Sequence, residues 1–204
     1  MRRIVAGAAI VLAFAGCESG MAKLQKAILY SAERPGSKMI AREIVSDSMG
    51  ASLRPGDIAV VDLRAFEKTL PRRGDIVGIG SLSDSEEIVF DRIIGIPGDR
   101  VEIRDGWLWL NGRRKHEPYV VGPANYVLSI DHYQLISRYP DAKKSDLLDA
   151  GLSASVPRRY WRSPDRVPDD YYVVLGDDRN ASDDSHLLGL INLHDIAGKV
   201  VKVF

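Results

Sequence analysis

Four short segments carry residues able to do chemistry together: Ser46-Asp47-Ser48-Met49, Arg54-Pro55-Gly56-Asp57, Asp91 through Asp99, and Gly176 through His186. A serine hydroxyl is a poor nucleophile until a base takes its proton. A serine in a tight turn after a strand can also aim its backbone N–H at a developing oxyanion. A Ser-x-Ser-Met taken alone is an ordinary polar turn. The three other segments, taken together with it, outweigh that reading.

Other chemistries are excluded more simply. The only cysteine is Cys17, and His116, His132, His186 and His194 are scattered, so no zinc-ligand spacing exists. Neither a metal nor a cofactor is expected. Lys plus Arg equals Asp plus Glu at 28 each, which leaves no global basic field for nucleic acid. With 204 residues, 45% of them hydrophobic and 27% charged, the chain is globular in composition and long enough for one substantial domain or two small ones.

The elements that must hold these segments read as strands. β-branched and apolar runs cover Met39–Val45, Asp57–Asp62, Gly74–Ile79, Glu87–Ile94, Val101–Ile103, Trp107–Leu110, Asp170–Leu175 and Ile196–Phe204. Arg104-Asp105-Gly106 and Asn111-Gly112 are tight-hairpin sequences. Gly56-Asp57, Gly74-Asp75 and Gly98-Asp99 read as turn chemistry: glycine supplies positive φ and aspartate caps the turn. Periodicity weakens from Tyr126 to Pro168, with a helix candidate at Ala142–Ala150. The fold class expected is mostly β, an antiparallel barrel or sandwich over about 38–204 with a small mixed insertion at about 117–168.

The N-terminus reads as a leader. Arg2 and Arg3 precede an uncharged run of 14 residues, Ile4 to Cys17. As a helix it would span roughly 21 Å, short of a hydrocarbon core about 30 Å thick. Ala13-Phe14-Ala15 fits a small-x-small cleavage site, and Phe14-Ala15-Gly16-Cys17 resembles a lipoprotein box that would lipidate Cys17. Plain signal, lipoprotein leader and uncleaved anchor stay open for residues 1–16, with 17–37 as a connector, helical over Met21–Glu33. Each places the bulk of the chain at the extracytoplasmic face of a bacterial envelope, against a membrane surface. A start at Met21 would instead give a cytosolic product.

In order and spacing, the four segments resemble the bacterial type I signal peptidases, over about Ile44 to Phe204. The resemblance makes Ser48 the nucleophile, gives Ser46 an oxyanion-hole hydroxyl, sets Met49 beneath the base, and puts Ser182 where a serine orients that base. It implies that Arg92 pairs with Asp177 to fix one strand against another, and that Asp184 is structural, with Arg179 or His186 as partner. It also implies substrate preproteins bound as an added β-strand, between Glu43-Ile44-Val45-Ser46 and Ile88-Val89-Phe90. Ile44, Met49, Leu53 and Phe90 would then shape a shallow apolar pocket, or simply be core.

One position departs from the family. Where it keeps a buried lysine as general base, this chain has Asp91, and none of its nine lysines lies within twenty residues. Arg92 cannot substitute, because successive strand residues face opposite ways and guanidinium does not deprotonate. Burial could raise the Asp91 pKa enough to make it a base, but its stem is short and a bridging water or a shifted strand would be needed. His186, with Asp184 two residues earlier, is the alternative base in a Ser48–His186–Asp184 constellation, or else a structural histidine. The functions in view are a serine endopeptidase removing leader peptides, a catalytically impaired relative that binds extended segments, and, weakly, a self-cleaving regulator.

Overall fold

The computed structural model describes residues 18–34, 38–80, 88–129 and 166–204. The leader, Cys17 and the helix candidate at Ala142–Ala150 lie outside them. The chain enters through α1 (Glu18–Ala32) and continues as β1 (Met39–Glu43), β2 (Ile58–Asp62), β3 (Ile76–Ile79), β4 (Val89–Gly95), β5 (Val101–Arg104), β6 (Trp107–Leu110), β7 (Arg113–Arg114), β8 (Leu128–Ser129), β9 (Tyr171–Leu175), a short α2 (Ser185–Leu188), β10 (Ile191–Asn192) and β11 (Ile196–Val203). One sheet has seven strands in the order β1-β2-β11-β3-β4-β9-β10, and a second has four in the order β7-β6-β5-β8. The pairings are antiparallel. The architecture is the mostly β, two-sheet arrangement that the strand pattern predicts.

Alternation along the strands decides which core each side chain joins. In β9, Tyr171, Val173 and Leu175 enter one apolar cluster with Val101, Ile103, Leu108 and Leu110 of the second sheet. Its intervening Tyr172 and Val174 enter another with Val77, Ile93, Ile191 and Ile196. A third cluster, formed by Ile44, Met49, Leu53, Ala59, Val61 and Phe90, lies under the Ser46–Met49 turn.

The three Gly-Asp turns share one construction. Gly56, Gly74 and Gly98 have φ of +84°, +89° and +85°, a region open to glycine without steric cost. The aspartate that follows each accepts a backbone N–H three residues back: Asp57 from Arg54, Asp75 from Arg72, and Asp99 from Ile96. Each aspartate also meets a cation from elsewhere in the chain, Lys23, Lys199 and Arg73 respectively. These turns therefore tie separate parts of the fold together.

The segment read as an insertion begins inside the barrel. Ala124, Tyr126, Leu128 and Val167 belong to the core cluster of the second sheet, and β8 pairs with β5. Residues 117–129 and 166–168 are thus part of the fold. Their irregular sequence hid this, because they pack as loop and a two-residue strand, without a repeating apolar pattern.

Asp105 and Gly106, at φ of 54° and 79°, form the two-residue turn between Arg104 and Trp107. A Cβ on Gly106 would lie 2.6 Å from Pro123 Cβ and 3.2 Å from the Ala124 carbonyl. Gly106→Ala combines backbone strain with a clash and is expected to destabilise by about 1–3 kcal/mol, read as a lowered denaturation midpoint with an unchanged slope.

Candidate active site

The Ser46–Met49 turn is fixed from both ends. Ile44 exchanges backbone hydrogen bonds with the next turn, donating to the Asp57 carbonyl and accepting from Gly56 N–H, both at 2.8 Å. Ile44, Met49 and Leu53 are buried, so apolar anchors flank the polar residues. The Ser48 N–H donates to Ser46 Oγ at 3.1 Å, which places the two proposed oxyanion donors side by side. The Ser48 carbonyl accepts from Asp178 N–H at 2.9 Å. Among the described residues, no hydrogen bond joins the Ser48 hydroxyl to Asp91 or His186.

Gly176 is where the remaining pieces meet. A Cβ there would sit 2.5 Å from Ser182 Oγ and 2.7 Å from the Ser48 carbonyl oxygen. Only a residue without a side chain fits between Ser182 and the Ser48 carbonyl. Ser182 Oγ in turn donates to Asp91 Oδ1 at 3.3 Å. Asp91 sits in β4 opposite Val77 of β3 and is buried, 2% exposed. Burial, chiefly, and the nearby Asp184 carboxylate raise its pKa to about 8, against the smaller opposing effect of the Ser182 hydrogen bond. At neutral pH Asp91 is therefore mostly a carboxylic acid. It becomes a base only as pH rises through that value.

Arg92, the next residue, has different partners. Its Nε and Nη2 donate to Asp177 Oδ1 and Oδ2 at 2.8 and 2.6 Å. Nη2 also reaches Ser52 Oγ at 3.0 Å, and Nη1 reaches the Gly74 carbonyl at 3.0 Å. Ser52 Oγ donates to Asp177 Oδ2 at 2.5 Å. The guanidinium lies 4.0 Å from the Tyr119 ring centroid. This bidentate pair locks β4, the Ser48 turn and the Gly176–Asp178 segment to one another.

A second buried ion pair, Arg179 with Glu117 at 2.6 Å, lies behind the first; Arg179 Nε also donates to the Gly176 carbonyl at 3.0 Å. Sequence reasoning missed Ser52, Glu117 and Tyr119. Ser52 had a usable signal in its place four residues after Ser48, whereas Glu117 and Tyr119 sit in the irregular segment and offered none.

Asp184 accepts from Gly176 N–H at 2.9 Å and from the His186 N–H at 2.9 Å, and pairs with His186 Nδ1 at 2.9 Å. It is the N-cap of α2. His186, not Arg179, is its side-chain partner. The His186 ring stacks on Tyr126, with centroids 4.1 Å apart and planes at 9°. The Asp184–His186 half of the alternative triad exists; its link to Ser48 does not. Of the residues expected to line a substrate, Ile44, Met49, Leu53 and Phe90 form the core beneath the turn. Val45 (86%) and Val89 (49%) are the exposed ones. Among the described residues no cluster of three or more His, Cys, Asp or Glu could hold a metal.

Residues 37–204 match the family described as signal peptidase, peptidase S26. The chain belongs to that family. Signal peptidase IB of Staphylococcus aureus strain Mu50 is 31% identical over 157 residues, 77% of this chain and 73% of that protein. Signal peptidase I of Leptolyngbya laminosa is 29% identical over 171 residues, 80% of this chain and 68% of that protein. A crystal structure of a signal peptidase I from Enterococcus faecalis V583 aligns at 27% identity with a TM-score of 0.39, covering 65% of this chain and 98% of the other. The S26 assignment makes the scaffold that of a serine endopeptidase of the signal peptidase I type.

Two stability effects follow from the site. The Asp91 pKa is higher folded than unfolded, so the folded state holds a proton that the unfolded state has lost between about pH 4 and 8. Stability from this group is fully present below its unfolded pKa and lost as pH rises toward 8. Asp91→Asn removes that dependence: its melting temperature should exceed wild type by a margin that widens from pH 5 to 8 and then levels, followed by thermal unfolding across pH. Asp177→Asn leaves Arg92 buried without its counter-charge and is expected to cost about 3–5 kcal/mol in chemical denaturation.

Proposed function

We propose that the chain is a serine endopeptidase of the signal peptidase type that cuts extended leader segments of exported proteins, with Ser48 as nucleophile and Asp91 as the terminal proton acceptor. The observation that carries this reading is the packing at Gly176, whose missing side chain leaves room for Ser182 and for the Ser48 carbonyl, while Ser182 Oγ bonds Asp91. Ser48 Oγ attacks the substrate carbonyl carbon as its proton passes through the Ser182 hydroxyl to ionised Asp91. The oxyanion is held by the Ser48 N–H and the Ser46 hydroxyl, which the substrate oxygen must draw out of their mutual hydrogen bond. The C–N bond then breaks, Asp91 returns the proton to the leaving amine, and water hydrolyses the acyl-serine with Asp91 again as base. Val45 and Val89, both exposed, flank the path of an added substrate strand. On this reading residues 1–16 are a leader, and the activity lies on the outer face of a bacterial membrane.

A specific observation favours a second reading. The Ser48 hydroxyl has no direct bond to Asp91, and Asp91 is mostly protonated at neutral pH. A chain so disabled would hold extended peptides without cutting them.

Preprotein cleavage by wild type, Ser48→Ala, Asp91→Asn and Asp91→Lys from pH 6 to 10 separates the two. The peptidase reading predicts wild-type kcat/KM rising about tenfold per pH unit below a midpoint near 8, with Ser48→Ala and Asp91→Asn inactive. Activity appearing only in Asp91→Lys would identify a disabled enzyme and overturn the peptidase reading.

A further inference from the structure

Helix α1 is built inside out. Its sheet-facing side is small or polar: Ala27 is fully buried against Ile58 and Val60 of β2, with Tyr30 beside it. Lys23 donates to Asp57 Oδ1 at 2.7 Å and to the Gly56 carbonyl at 3.1 Å. Tyr30 meets Phe204 edge to face, with centroids 6.0 Å apart. The bulky aliphatic side chains point the other way. Met21 is 53% exposed, Leu24 37%, Ile28 59% and Leu29 57%. Spaced at i, i+3, i+7 and i+8, they fall within about 140° of arc at 100° per residue, with the exposed Gln25 among them.

A surface helix normally turns its apolar stripe to the core. Here the stripe faces outward although the inner face already holds the helix by an ion pair, an aromatic contact and Ala27. Four exposed aliphatic side chains on one helix face mark a surface that is covered in use. We propose that α1 is an interfacial helix that lies on a lipid bilayer with Met21, Leu24, Ile28 and Leu29 seated at the acyl-chain boundary.

The occupant is argued from what adjoins the stripe. The uncharged run Ile4–Cys17 ends one residue before α1 begins, so the most apolar part of the chain leads directly into the helix. That run alone is roughly 21 Å long as a helix, against a hydrocarbon core of about 30 Å. Retained on the chain, an apolar segment of this length would deliver the next residues to the interface. The stripe on α1 then supplies the additional apolar contact, in the manner of a helix lying in the membrane plane. α1 packs on β1 and β2, and β1 runs straight into the Ser46–Ser48 turn. Seating α1 therefore fixes the height of that turn above the bilayer, whether or not Ser48 hydrolyses anything.

The test uses the full chain reconstituted in phosphatidylcholine/phosphatidylglycerol vesicles. Ile28→Trp places a reporter on the stripe, read against the wild-type tryptophan background. The proposal expects a blue-shifted emission that is quenched by lipids brominated high on the acyl chain and shielded from aqueous acrylamide. Lys26→Trp, off the stripe, should stay open to acrylamide. Because these side chains face outward, both variants should unfold at the wild-type temperature, and a Leu29→Trp variant gives a second stripe reporter should one misfold. A stripe indole that acrylamide quenches freely and brominated lipid does not, while the leader keeps the protein on the vesicles, overturns the proposal. So does shielding that appears without lipid and grows with protein concentration, since the occupant would then be a second copy of the chain.

Discussion

The candidate site is organised around a carboxyl group kept away from both water and cations. Asp91 is 2% exposed, and among the described residues its hydrogen-bond partner is the neutral Ser182 hydroxyl. The one guanidinium within the same strand, Arg92, is fully committed to Asp177, Ser52 and the Gly74 carbonyl. Asp184 adds like charge nearby rather than relief. An unpaired buried charge is costly, and the group responds by keeping its proton. A buried lysine answers the same desolvation by losing its proton, so a dry pocket pushes either residue type toward its neutral form. The two neutral forms differ in consequence. A neutral amine is a base, whereas a neutral carboxylic acid is not.

The scaffold around this group is well suited to presenting a serine. Arg92–Asp177 and Arg179–Glu117 both bear on the Gly176–Asp178 segment, the first directly and the second through the Gly176 carbonyl. That segment holds the Ser48 carbonyl through Asp178 N–H. Buried, bidentate pairs of this kind hold geometry more than they add stability. They explain how a turn with its serines partly or fully exposed can keep one conformation.

Much of this was legible in the sequence, for identifiable reasons. Gly-Asp dipeptides fix their turns locally, so three turns could be read directly, as could the Asp105-Gly106 hairpin, whereas the cations that meet those aspartates could not. Strands with clear apolar alternation, such as Tyr171–Leu175, declared themselves. The Ser48, Asp91 and Ser182 segments were recognisable because their order resembles one family. What could not be read depends on long-range contact: Glu117 reaching Arg179, Tyr119 over Arg92, and residues 124–128 filling the core of the second sheet. Nor does periodicity alone say which face of α1 meets the sheet. An apolar stripe normally implies burial, and here Ala27 and Lys23 take that place instead.

The protonation state of Asp91 is the claim on which the functional account turns, and it can be read without any substrate. The infrared carboxyl stretch of wild type minus Asp91→Asn, recorded from pH 4 to 10, isolates that one group. The account predicts a protonated C=O band that survives neutral pH and disappears with a midpoint near 8. A band lost near the ordinary aspartate value of about 4 would mean that an ionised carboxylate is tolerated in this pocket, and the description of the site as one that holds a neutral acid would be contradicted.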